Sequence, residues 1–204
     1  MVIKLKRKYS LVLAVITTIG LISTFIGTMI DNPDSPILSG LGILKYFTIQ
    51  SNLFIATYFW LNYIKKGDHK LLSSTILGAI SVYITITFLG YAIFLEAIYD
   101  PTGIALVGTI LNHYVTPLLV IAFVIIFRKG YKYQFSDLKK WIIYLLVYLV
   151  FFLIYGAITS DYYYVFLDLN ELGLVWFLIS VTGLISLFLL LSCSLIYISK
   201  SKEN

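Results

Sequence analysis

The sequence predicts an all-α polytopic membrane protein, a six-transmembrane-helix bundle with both termini cytoplasmic. Three observations predict it. The composition is 60% hydrophobic and 12% charged, and the mean hydropathy of +0.93 lies well above the range of globular domains. Six apolar stretches, at about Leu11–Ile30, Leu44–Ile64, Leu71–Leu95, Gly103–Phe127, Trp141–Thr159 and Leu172–Ile198, each approach the ~20 residues needed to cross a ~30 Å hydrocarbon core. If these spans alternate, 14 of the 15 Lys and Arg fall on one side. The short connections leave room for one membrane domain over residues 1–204.

The bases occupy four short segments: Lys4, Lys6, Arg7 and Lys8; Lys65, Lys66 and Lys70; Arg128, Lys129, Lys132, Lys139 and Lys140; Lys200 and Lys202. The opposite side holds Asp31, Asp34, Glu96, Asp100, Asp161, Asp168 and Glu171, with Lys45 as its only base. The positive-inside rule then places both termini in the cytoplasm. The pI of about 9.1 follows from that topology and from attraction to anionic lipid. Bases scattered over four segments do not make a nucleic-acid surface, so membrane lipids are the expected partners.

Span one follows a basic segment, but its apolar stretch is too long for a secretory signal. Asp31-Asn32-Pro33-Asp34-Ser35-Pro36 offers no small-x-small cleavage site, so the span reads as a signal anchor. Span two opens with Thr48-Ile49-Gln50-Ser51-Asn52, polar groups at a depth where hydrocarbon makes them costly and where they usually face a bundle interior or a site. Lys45, Thr48, Ser51 and Asn52 recur at three and four residues and are expected on one helical face. His69, in the loop that follows, reads as solvated. Ser81 and Thr85 of span three read as packing. In span four, Thr109, Asn112, His113 and Thr116 repeat the three-four spacing, and Pro117 is expected to bend the helix.

Span five carries Tyr144, Tyr148, Tyr155 and Thr159 on one face, polar at its tips and suited to bundle packing. The external segment from Thr159 to Gly173 is rich in aromatics, and Tyr162-Tyr163-Tyr164 reads as an interfacial belt. Span six contains Cys193, the single cysteine, which reads as a small packing residue and excludes an intrachain disulfide or paired redox thiols. The two halves show no internal repeat of the kind that marks inverted-repeat transporters. No spacing matches a metal, haem or phosphate motif, so no cofactor is expected.

The polar clusters of spans two and four carry whatever chemistry there is. Both spans run inward, and side chains tilt toward the helix N-terminus, which brings the His113 ring toward the level of Thr48. The two meet if their helices are neighbours. A threonine hydroxyl becomes a nucleophile when a base takes its proton, and neutral histidine suits that role. Lys45, Gln50, Asn52 or Asn112 could stabilise an acyl oxyanion, and Ser51 shares their face. The imidazole would be oriented by Asp168 or Glu171 only if the external loop folded back. The same residues also fit interhelical hydrogen-bond glue. Residue chemistry leaves three readings open: a hydrolase, a non-catalytic binding or transport subunit, and a structural or assembly protein. An importer subunit would need a small-residue docking face on span one, which Ala14, Thr18, Ser23 and Gly27 supply in broken form.

Tyr46-Phe47-Thr48-Ile49-Gln50-Ser51-Asn52, then Leu111-Asn112-His113 with Pro117, and Tyr163-Tyr164-Val165-Phe166-Leu167-Asp168 resemble three blocks of the six-pass bacterial membrane family Pr6Pr. That family is more distantly similar to the androgen-induced-gene (FAR-17a-like) membrane proteins, threonine hydrolases that cleave fatty-acid esters of hydroxy fatty acids. The resemblance implies a lipid or other apolar substrate, a bacterial cell membrane as location, Thr48 as nucleophile and His113 as the histidine. Two positions depart from the bacterial pattern, which has prolines among the external aromatics and an arginine before the glycine of span five. Here Tyr162-Tyr163-Tyr164-Val165 is uninterrupted and Tyr155 precedes Gly156.

Overall fold

The computed structural model describes residues 2–65 and 69–200; Lys66, a base of the second loop, and Lys202 lie outside them. Among the described residues the chain is mostly helical, with no strand. Five helices are long and apolar enough to cross a membrane: Val2–Asp31, Ser74–Leu95, Gly103–Gly130, Phe135–Thr159 and Leu169–Lys200. The remaining long helix, Phe47–Lys65, has 19 residues and is less apolar because it carries Thr48, Gln50, Ser51, Asn52 and Asn62. The chain divides into two compact units, Met1–Lys132 and Tyr133–Asn204.

The first unit is built on α1 (Val2–Asp31). This helix continues outward from span one through the basic tail, where Lys6 Nζ lies 4.4 Å from the Tyr131 ring centre and the Arg7 guanidinium 4.7 Å from that of Tyr63. Both cations thus gain an aromatic face while their stems cover apolar surface. The stretch between spans one and two, expected as a plain connection, folds as a short helix, α2 (Pro36–Gly42), with proline in its first turn. Gly40 lets this helix lie on α1, because a Cβ there would stand 2.7 Å from the Phe25 ring. Ile37, Leu38 and Leu41 are left exposed. A single 3-10 turn, Ile43–Lys45, and an extended Tyr46 lead into α3 (Phe47–Lys65). Span two therefore begins three residues later than Leu44.

After the second loop, Ser73 caps α4 (Ser74–Gly90) by accepting from Ile76 N at 3.3 Å. This helix runs into a π-helical turn, Tyr91–Leu95. Span four is three pieces in one rod: α5 (Gly103–Ile110), a π turn (Leu111–Val115) and α6 (Thr116–Phe127). Helix α1 packs against α3, α5 and α6, α3 packs against α4, and α4 against α6. The α1–α5 seam is close because both helices present small residues. A Cβ at Gly27 would lie 2.8 Å from the Ala105 Cα, and one at Gly20 would lie 2.5 Å from the Asn112 Oδ1. Aromatic side chains fill the basic end of this unit, with Phe123 at 4.8 Å from the rings of both Phe59 and Phe127.

The second unit holds α7 (Leu138–Thr159) and α8 (Leu169–Lys200). Tyr162 and Tyr164 are buried, each 8% exposed. With Tyr163 they gather around Phe152 at 5.1–5.9 Å between ring centres, so the segment is packed rather than an open interfacial belt. Gly156 makes room for the Tyr162 ring. Tyr148 and Tyr163 hydroxyls are 3.2 Å apart. Asp168 Oδ1 accepts from the amides of Asn170 (2.9 Å) and Glu171 (3.2 Å), closing the first turn of α8. Gly173, at φ 67° and ψ 168°, then breaks the helix in a region essentially confined to glycine. Cys193 is exposed rather than packed.

The α1–α5 seam depends on absent side chains. Gly27→Ala should lower the stability of the detergent-solubilised protein by about 1–3 kcal/mol, the usual cost of overpacking. Gly183→Ala, with nothing within 4 Å of its Cβ position, should leave the thermal midpoint unchanged or raise it by a few degrees, because alanine is the better helix former. Equal midpoints for the two variants would show that the seam is not tight.

Candidate functional site

Thr48 is the second residue of α3, and His113 is the middle residue of the π turn in span four. Thr48 Oγ1 lies 3.3 Å from His113 Nε2, and both residues are part-accessible. The other ring nitrogen, Nδ1, lies 3.1 Å from the Thr109 carbonyl. A carbonyl only accepts, so Nδ1 carries the proton and Nε2 presents its lone pair to the Thr48 hydroxyl, which donates. The tautomer is fixed by a backbone group of the histidine's own helix, in the place where a carboxylate was sought. Of the two carboxylates that the sequence offers for that orienting role, Asp168 accepts from the Asn170 and Glu171 amides and Glu171 is exposed.

The π turn and Pro117 explain why α3 is held at this register. In the π turn the hydrogen-bond ladder slips from i−4 to i−5, and the Thr116 amide bonds the Leu111 carbonyl. One step further, the group facing the Asn112 carbonyl would be residue 117, a proline with no N–H. That carbonyl accepts instead from Asn52 Nδ2 at 3.2 Å. The second hydrogen of the same amide goes to the Thr48 carbonyl at 2.9 Å. One side chain thus pins α3 to span four and sets the turn that carries the threonine.

Asn112 is equally occupied. Its Nδ2 donates to the Gly20 carbonyl at 3.1 Å and to Thr24 Oγ1 at 2.9 Å. Each amide nitrogen has two hydrogens, so the amide donors of Asn52 and Asn112 are all spent, three on neighbouring helices and one on the Thr48 carbonyl of α3 itself. Neither is an oxyanion donor in this arrangement, contrary to the expectation from sequence. Their Oδ1 atoms, with Ser51 Oγ, are buried and have no hydrogen-bond partner among the described residues.

The other candidates separate. Lys45 lies in the 3-10 turn before α3, off the face shared by Thr48, Ser51 and Asn52, with its Nζ 5.5 Å from the Tyr46 ring centre. Gln50 Nε2 donates to the Leu44 carbonyl at 2.8 Å and ties that turn to the helix. The expected single polar face of span four also divides, because adjacent helical residues point about 100° apart. Asn112 and Thr116 turn to α1, where Thr116 Oγ1 meets Thr17 Oγ1 at 3.3 Å, while His113 turns to α3 and α4. Among the described residues no group of three His, Cys, Asp or Glu is placed to hold a metal ion.

The first-turn amides of α3 are placed differently. The Tyr46 carbonyl accepts from the amides of Ile49 and Gln50, each at 3.1 Å, which makes Tyr46 the cap. The Thr48 N–H then belongs to the turn whose amides have no partner within the helix and which forms the positive end of its dipole. Three contributors escaped sequence reasoning. Tyr91 stacks on His113, with ring centres 4.0 Å apart and planes at 24°, and nothing in the local sequence marks it. Gly20 and Thr24, the acceptors of Asn112, were legible in principle, because Gly20, Thr24 and Gly27 recur at helical spacing as a close-approach stripe.

No family model, no curated protein and no solved structure matches the chain.

The link through the Asn112 carbonyl is open to a double-mutant cycle. Asn52→Leu alone should cost about 0.6–2 kcal/mol, the range for interhelical bonds in membranes. In a Pro117→Ala background, where residue 117 regains an N–H, the same change should cost less. Strict additivity, measured by unfolding in mixed micelles, would dissociate Pro117 from the Asn52 bond.

Proposed function

We propose that the chain is an integral-membrane hydrolase of fatty-acyl esters, with Thr48 as nucleophile and His113 as general base. The observation that carries this reading is the 3.3 Å approach of Thr48 Oγ1 to His113 Nε2, with Nδ1 held on the Thr109 carbonyl. A hydroxyl facing the lone pair of an oriented imidazole is the signature of an activated nucleophile. Thr48 Oγ1 attacks the ester carbonyl carbon as its proton passes to Nε2. The carbonyl electron pair moves to oxygen, where the Thr48 N–H and the positive end of α3 stabilise it. Collapse expels the alcohol, which takes the proton from Nε2 and leaves an acyl-threonine. Water, deprotonated by the same nitrogen, attacks that ester, and its collapse releases the fatty acid and restores the threonine hydroxyl.

The proposed topology is six spans with both termini in the cytoplasm of a cell membrane. Helix α3, at ~28 Å for 19 residues and 1.5 Å per residue, nearly matches the hydrocarbon core, and its polar residues are turned inward. The distribution of Lys and Arg sets the orientation. The resemblance to the Pr6Pr and androgen-induced-gene families agrees with the pair Thr48 and His113 and with an apolar ester as substrate.

An assembly or structural protein is the second reading, favoured by the three amide bonds by which Asn52 and Asn112 tie neighbouring helices together. An importer subunit is less well supported, since its docking face is engaged within the chain. Ala14 and Ser23 are buried, Thr18 accepts from Trp60 Nε1 at 3.0 Å, and Gly27 backs onto Ala105.

Membranes containing the wild-type protein should be labelled by a serine/threonine-hydrolase probe. Thr48→Ala and His113→Ala, expressed at wild-type level, should lose at least about 10²-fold in labelling rate, the lower bound for a general base. Thr48→Ser should retain labelling. Undiminished labelling of Thr48→Ala would remove the nucleophile, and an unlabelled wild type would favour the assembly reading.

A further inference from the structure

We propose that Tyr91 is the positioning residue of the His113 base, an inference that rests on the Thr48–His113 reading. The two ring hydrogen bonds, Nδ1 to the Thr109 carbonyl and Nε2 to Thr48 Oγ1, define an axis through the imidazole. Both bonds lie near the ring plane and resist an out-of-plane swing of the side chain only weakly, and such a swing weakens both and carries the Nε2 lone pair out of line with the hydroxyl. A second ring lying parallel to the first removes that freedom.

Tyr91 is placed to do so. Its ring centre is 4.0 Å from that of His113, with the planes 24° apart. The tyrosine is itself held: it is 5% exposed, and Tyr114 meets it edge-on at 5.7 Å and 88°. Tyr114 is backed in turn by Phe88 at 5.7 Å and 77°. The stack joins two irregular turns. Tyr91 opens the π turn that ends span three, and His113 is central to the π turn of span four. Single π turns are rare and gather at functional sites. Here each one swings an aromatic ring off its regular helical path, and the two rings meet. The stack also covers one face of the imidazole against water, which leaves Nε2 as its reactive edge. Neither aromatic hydroxyl chemistry nor charge on Tyr91 enters; what counts is the flat face of the ring.

The test uses the full-length protein in lipid nanodiscs, carrying His69→Gln so that His113 is the only histidine. Nitrogen-15 NMR of the imidazole reads the tautomer, and hydrolase-probe labelling reads reactivity. Tyr91→Phe keeps the ring face, so it should hold the proton on Nδ1 and label within about twofold of wild type. Tyr91→Leu removes the face, so it should show both tautomers in exchange and label about tenfold more slowly, a part of the ~10²–10⁴-fold that a general base carries. Tyr91→Met, a flexible filler of similar reach, should repeat the leucine result and replaces it where leucine fails to fold. A single Nδ1–H tautomer with wild-type labelling in both Leu and Met variants would overturn the proposal. So would a Phe variant as impaired as Leu. The two claims fail separately: an unlabelled wild type whose tautomer still follows the Phe–Leu split rejects hydrolysis and upholds the positioning.

Discussion

One carbonyl left without its backbone donor organises the first unit. Pro117 cannot serve the Asn112 carbonyl, and Asn52 reaches across from α3 to do so at 3.2 Å. In an apolar surrounding an unpaired carbonyl is costly, and this contact relieves it. Its consequence is a fixed register. Asn52 also holds the Thr48 carbonyl one turn earlier, and the threonine hydroxyl is thereby set opposite the histidine that follows Asn112. The side chain of Asn112 fixes the other flank by bonding Gly20 and Thr24 of α1.

This arrangement reassigns the polar residues of the two spans. Their number suggested a site crowded with donors for substrate. Most are structural: the Asn112 amide bonds a carbonyl and a hydroxyl of α1, and the Asn52 amide divides between span four and its own helix. What remains beside them is small: one hydroxyl against one imidazole nitrogen, at the amide end of a helix. That economy suits a buried ester site, where every unpaired donor is expensive and backbone amides at a helix start are unpaired already. It also separates the residues that build the site from the pair that would act in it.

The sequence was informative where periodicity and cost speak. Apolar length marked every long helix, and the expense of histidine and hydroxyls at membrane depth singled out Thr48 and His113, which the structure places in contact. It was silent where the outcome depends on helix ends and on ladder slippage. Lys45 looked continuous with the α3 face until the extended Tyr46 set it apart. Residues 36–42 read as connection because proline and two glycines hide a short helix whose support is the Phe25 ring. Asn112 and His113 read as one face, yet adjacent positions serve different neighbours. The ring of Tyr91 reaches the imidazole through two π turns, and no three-four spacing encodes that.

The central claim is that Thr48 is acylated through His113, and its most direct measurement is mass spectrometry of the protein after brief reaction with an activated fatty-acyl ester. The account predicts one acyl adduct on Thr48, within the peptide containing Tyr46–Asn52, and its loss in His113→Ala. An adduct on Ser51, or an adduct on Thr48 that persists at full yield without His113, would contradict it.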